Sequence, residues 1–264
     1  MTIGLVFSLL ATFFLLLPMT SWALTKRRWV FWVHLFNATF LSGLTAYHLA
    51  GRHWSAALGV DLWVTVTATV ALFALVCLRN RQARPLVLLV MPYLMLLGIL
   101  GCFSESLANV GVSRGAPAGW VGVHILVSVI TLGLLTLAAA AALASFIQSR
   151  ALKNKQPNAL SRVLPAVSDS ERLYEGLLIA SLIVLAAGVA TGMATEFAET
   201  GRFLVFDHKT LFSLLAFALI GGLVAGRRWG GVRGQMAVRL LLVAYSFVLL
   251  GYFGVKFVKQ VLLS

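Results

Sequence analysis

The chain alternates long, unbroken apolar runs with short polar connections. Eight such runs, at approximately 3–24, 29–50, 62–78, 85–102, 120–147, 173–195, 210–225 and 240–262, carry little or no charge. As a helix, about 20 apolar residues cross roughly 30 Å of hydrocarbon, so each run is expected to span a membrane. The third and seventh are short, and the last holds Lys256 and Lys259, whose long stems can carry their ammonium groups to the interface. An outer-membrane barrel would show strict alternation in segments of about ten residues, and these runs do not alternate. The pattern predicts an all-α polytopic transmembrane bundle of about eight spans.

Composition agrees: 60% of the 264 residues are hydrophobic and 11% are charged, well away from a soluble domain. The net charge of +13 could suggest nucleic acid, but 15 of the 21 Lys and Arg residues fall in four alternate connections. These hold Lys26 to Arg28; Arg79, Arg81 and Arg84; Arg150, Lys153, Lys155, Arg162 and Arg172; and Arg227, Arg228, Arg233 and Arg239. The positive-inside rule puts those segments in the cytoplasm and both termini outside. The basic residues therefore orient the chain in a lipid bilayer, and nucleic acid is excluded as a partner. The first run lacks a positive segment before it and is followed by basic residues, which predicts an uncleaved first helix. Cys77 and Cys102 fall near opposite membrane faces, so no disulfide between them is expected.

Two longer segments organise the chain. The outer connecting segment 103–119, "FSESLANVGVSRGAPAG", divides four N-terminal helices (1–102) from a four-helix region (120–264). The inner segment 148–173 ends with Ser168 and Glu171 at the spacing of a capping box, which predicts a helix start near Asp169. "TLAAAAALAS" (136–145) and "AAGVATGMAT" (186–195) read as packing seams, because small residues let helix backbones approach closely. "GRRWGGVRGQ" (226–235) reads as an orienting turn, since a phosphate loop would need a strand before it.

Candidate chemistry lies with the five histidines. His48 ends the second run, His53 follows it, and His124 and His208 begin the fifth and seventh; these four fall on the outer side and His34 near the inner face. A titratable ring at membrane depth is costly and so marks a candidate site. Neutral imidazole ligates metals, and haem (heme) iron accepts one imidazole from each side. Trp120 lies one turn before His124, Trp54 and Trp63 add outer aromatic surface, and Arg52, Arg114 or Arg202 could pair propionates. The outer acids Asp61, Glu105, Glu196, Glu199 and Asp207 are too scattered for a paired-carboxylate site. His34 and His48 share a face 14 residues apart, yet Leu137 and Ala138 stand where a second pair would be needed, so His34 is read as an interhelical hydrogen-bond partner. The plain alternative for His124 is likewise a hydrogen bond to a neighbouring helix.

Several stretches, taken in order, resemble the cytochrome c assembly protein family, within it the HemX/YpjD-like inner-membrane branch. They are "WVGVHILVSVITLGLLTLAAAAALASFIQSRALKNK", "LPAVSDSERL", "DHKTLFSLLAFALIGGLVAGRRWGGVRGQ" and "GYFGVKFVKQVLLS", which span 120–264. The first four helices match more loosely. The resemblance implies a multi-pass protein of the bacterial inner membrane that binds or handles haem at its outer face, without catalysis of its own. Cytochrome c maturation proteins are the implied partners. It matches His124 to the external histidine before the fifth helix, His48 to a histidine near the end of the second helix, and Asp207 and Lys209 to the acid and lysine that open the seventh helix; His48, His124 and His208 are the candidate haem-binding residues. Trp120 would support the cofactor. Two departures stand out: the segment 194–208 contains no tryptophan, and no histidine follows the last matching helix. Haem binding is still implied, handover to an apocytochrome is left open, and His208 could substitute as a ligand because it too lies outside. Two other classes are an accessory or regulatory membrane subunit without haem, and a small ion transporter using the outer acids and histidines.

Overall fold

In the computed structural model, residues 3–24, 27–50, 58–104, 118–201, 208–232, 234–254 and 258 are described, and among them every regular element is helical. With no water in hydrocarbon, backbone amides must bond within their own segment, and a helix does this locally. The helices are α1 (Ile3–Phe14), α2 (Leu16–Leu24), α3 (Arg28–Ala50), α4 (Leu58–Arg79), α5 (Val87–Ser104), α6 (Ala118–Lys153), α7 (Val167–Thr200), α8 (His208–Trp229) and α9 (Gly234–Leu249). A 3₁₀ turn, Arg81–Leu86, leads into α5, and a π-helical turn, Leu250–Gly254, continues α9.

α1 and α2 form one rod broken at Leu15. Pro18 lacks the amide that would bond to the Phe14 carbonyl, and its ring crowds that carbonyl, so the break falls there. Counted this way there are eight rods, as the apolar pattern predicts. Seven are long and apolar enough to cross a membrane. The remaining rod, α3, has the length at 23 residues but dilutes its apolar run with His34, Asn37 and His48.

The chain divides into two compact units, Met1–Val112 with Lys256–Ser264, and Ser113–Val255. In the first, α1 packs against α3 and α5, and α4 closes the ring between them. In the second, α6 packs against α7 and α9, and α8 closes the ring. Each is a four-rod bundle whose short connections make successive neighbours antiparallel. Within each bundle the basic connections therefore share one end.

Hydroxyls within the helices donate back to carbonyls one turn earlier, as in Thr39 to Leu35 (2.9 Å), Thr69 to Thr65 (2.7 Å) and Thr131 to Val127 (2.9 Å). This is how these hydroxyls sit in apolar helices without orphaned protons, whereas Ser8 Oγ is buried without a partner. Thr136 uses its proton on the Leu132 carbonyl at 2.8 Å, so the Tyr245 hydroxyl 2.7 Å away donates to it, joining α6 to α9 in a buried contact. Tyr245→Phe is expected to destabilise the second bundle by about 1 kcal/mol. A thermal melt of the protein in detergent checks this, and a variant as stable as the parent contradicts it.

Helix ends depart from the hydropathy ends. α6 runs six residues past 147, and at 36 residues it is about 54 Å long, well beyond the hydrocarbon thickness. Apolarity marks only the buried stretch, whereas a helix stops where its backbone is capped or turned. Those places are Gly201 at φ 72° with its amide on the Phe197 carbonyl (2.9 Å), Lys155 at φ 54°, and Gly231 at φ 66°. The 226–235 stretch is a turn, with Gly231 and Gly234 (φ 65°) in the left-handed region that favours glycine. The capping box is not formed. α7 starts at Val167 from an extended Ala166, whose carbonyl already accepts the Ser170 amide (2.9 Å), so Ser168 lies inside the first turn with no cap to make. The loop before it is fastened to α6 by Gln148, whose Nε2 donates to the carbonyls of Ser161 (2.6 Å) and Leu164 (2.9 Å).

Candidate functional site: His124 between the fifth and sixth rods

The 186–195 stretch brings α7 close to α6. A Cβ on Gly188 would lie 3.4 Å from Val127 Cγ1, and one on Gly192 would lie 3.0 Å from His124 Cε1. These glycines stand four apart on one face, and the room they leave is occupied by the side chains of α6. The His124 imidazole fills that space with Cε1 nearest Gly192, half-buried, at the end of the bundle remote from the basic turns.

A hydrogen bond sets its orientation. His124 Nδ1 is 3.3 Å from Thr191 Oγ1. That hydroxyl also lies 2.9 Å from the Ala187 carbonyl and 3.1 Å from that of Gly188, and directs its proton to them. Its lone pair then accepts from His124, which assigns the proton to Nδ1 and the lone pair to Nε2. Histidines that ligate a metal through Nε2 are held in this way by an acceptor on Nδ1. The plain expectation, a hydrogen bond to a neighbouring helix, is thus met. One turn before His124 on the same face of α6, Trp120 is exposed. An exposed indole beside an imidazole suits the flat apolar ring of haem.

The other predicted residues are distributed differently. His48 ends α3 and is exposed, stacked on Phe7 of α1 at 4.6 Å and 22°. It belongs to the first unit and His124 to the second. His208 and Lys209 open α8, with side chains outside the described residues, and Asp207 lies outside them altogether. So do Arg52, His53, Trp54, Glu105, Arg114 and Arg202, and the Glu199 side chain. Glu196 is half-buried on α7.

One expectation changes, and three further residues take their places. Trp63 supplies no outer aromatic surface: it is fully buried in the first bundle against α5, where Gly98 and Gly101 make room for its indole. Asp61 is 2% exposed in the first turn of α4, where the helix dipole favours a carboxylate. His34 makes no interhelical bond through Nδ1, which is buried without a partner. Thr191 was not anticipated; a threonine four residues from a glycine that faces a histidine is legible only once the helices are paired. Cys77 is buried and Cys102 half-buried, with its Sγ 3.8 Å from Thr12 Oγ1. Among the described residues, no group of three or more His, Cys, Asp and Glu could hold a bare metal ion.

Fold and site define a multi-pass helical membrane protein with a histidine held by the neighbouring helix at one bundle end. The model of the cytochrome C assembly protein family matches residues 2–263, so the chain belongs to that family. It is also 48% identical over 216 residues to an "Uncharacterized 28.8 kDa protein in nifR3-like 5'region" of Azospirillum brasilense, covering 82% of this chain and 79% of that one. No solved structure matches it.

Proposed function

We propose that this protein binds haem at the bundle end remote from its basic turns, as a non-catalytic haem-handling component of cytochrome c assembly in a bacterial inner membrane. The observation that carries the reading is the Thr191 contact, which holds the His124 imidazole on the same helix face as the exposed Trp120. Membership of the cytochrome c assembly family supports it. Bound iron would supply an axial position for imidazole and redox chemistry. The chain's own part is to hold one ring in one tautomer and to offer apolar surface, chiefly from Trp120. His48 and His208 are further candidate ligands, each with its own test, and Asp207 and Lys209 are candidate supports for the cofactor. The positive-inside rule puts His124 on the outer, periplasmic side, and the HemX/YpjD-like branch is the assignment within the family.

An absorption spectrum of the detergent-purified protein from a haem-replete host tests the reading. A Soret band that weakens in His124→Ala, and separately in His48→Ala or His208→Ala, identifies the ligands. A colourless parent protein overturns it and favours an accessory subunit, in which the Thr191 contact is only structural.

A further inference from the structure

At the opposite, basic end of the second bundle lies a cavity of ≈ 550 Å³ between the ends of α6 and α8 and the starts of α7 and α9. Its charged lining is Arg150, Lys153, Arg227 and Glu171, three cations against one carboxylate. Two donors in the lining residues have no partner. Tyr174, 2% exposed, has its hydroxyl buried and unbonded, and Nε of Arg227 is buried and unbonded as well. The guanidinium is held in place by stacking, its Cζ 4.7 Å from the centre of the Tyr174 ring. Buried polar groups without partners are costly and uncommon, and each asks for a missing acceptor. Gly234 and Gln235, which open α9, also line the cavity, so the positive end of that helix faces it.

Donors without acceptors, a net positive lining and a helix N-terminus all call for the same chemistry. We propose that this cavity binds a phosphate group, with the Arg227 guanidinium and the Tyr174 hydroxyl as its buried donors and Arg150 and Lys153 as the cations at its exposed rim. A phosphate carrying between one and two negative charges matches the surplus of two positive charges. Glu171 repels such an anion and would favour a ligand with a further donor next to the phosphate. A phosphorylated small molecule and an anionic phospholipid headgroup share this chemistry. The site is separate from His124 and does not depend on the haem reading.

The test uses the full chain in neutral detergent, titrated with inorganic phosphate, and the same chain in nanodiscs of phosphatidylglycerol or of phosphatidylcholine. Saturating ligand should raise Tm by about 5 °C. Tyr174→Phe, which removes only the hydroxyl, should weaken binding about tenfold, and Arg227→Gln roughly 10- to 100-fold. Arg228→Gln, an exposed neighbour outside the lining, should leave it unchanged. Stabilisation by free phosphate in detergent identifies a soluble ligand; stabilisation by phosphatidylglycerol alone identifies a lipid. No stabilisation by either probe, or Tyr174→Phe and Arg227→Gln proteins that bind as the parent does, overturns the proposal.

Discussion

His124→Gly, purified from haem-replete cells, is expected to lose at least about 90% of the parent's Soret absorbance, and millimolar imidazole to restore much of it. An axial ligand contributes a bond that no neighbouring side chain replaces, whereas free imidazole can enter the space the deletion leaves. Two more substitutions separate ligation from packing. Thr191→Val keeps the ring but removes the acceptor for Nδ1, whose distance is 3.3 Å. Loss of such an outer partner lowers metal affinity by about 10- to 100-fold. Gly192→Leu drives a side chain into His124, since even a Cβ would stand 3.0 Å from Cε1, and should displace the ring from its tautomer-setting contact. If His124 serves only to join α6 to α7, the three substitutions will change stability by about 1 kcal/mol or less and leave the spectrum alone. That outcome, or failure of imidazole to restore absorbance, excludes His124 as the ligand.

Trp63→Ala is expected to destabilise the first bundle by about 3–5 kcal/mol, the largest stability effect of any single side chain named above. The indole is fully buried and seated on α5, where a Cβ at Gly101 would come within 2.8 Å of Nε1 and one at Gly98 within 3.3 Å of Cη2. In hydrocarbon, helices have little hydrophobic reason to associate, so close contacts of this kind hold them together. Trp63→Phe should cost far less than Trp63→Ala, because Nε1 has no hydrogen-bond partner to lose. From the other side, Gly101→Val should destabilise by about 1–3 kcal/mol through overpacking, although valine gains over glycine in helix propensity. Chemical denaturation in detergent, followed by circular dichroism, measures all three. A Trp63→Ala protein within 1 kcal/mol of the parent would show that the indole is not what joins α4 to α5.

The route from sequence to candidate site was uneven, for a physical reason. His124 stands out in the chain because a titratable ring in an apolar run is conspicuous by composition alone. Its partner is not conspicuous: Thr191 lies 67 residues away, and like Thr195 after it also bonds to its own helix. Trp63 shows the converse, for a tryptophan near a helix start suggests an interface anchor until Gly98 and Gly101 prove to face it. Arg227 and Tyr174 carried no signal at all. A basic turn and a helical tyrosine are ordinary separately, and become a site only when folding places one 4.7 Å above the other.

The linear pattern by itself determined that the chain is helical, how many rods it has, where most of them run and which connections are basic. Those properties follow from hydrogen bonding and hydrocarbon thickness, which act locally along a segment. The tertiary structure alone decided that the rods close into two rings of four, that α7 offers Gly192 and Thr191 to His124, and that unpaired donors gather at the basic end of the second ring. These depend on which small residues face which large ones across helices. That complementarity is a property of pairs of surfaces, and apolar periodicity on either surface alone does not contain it.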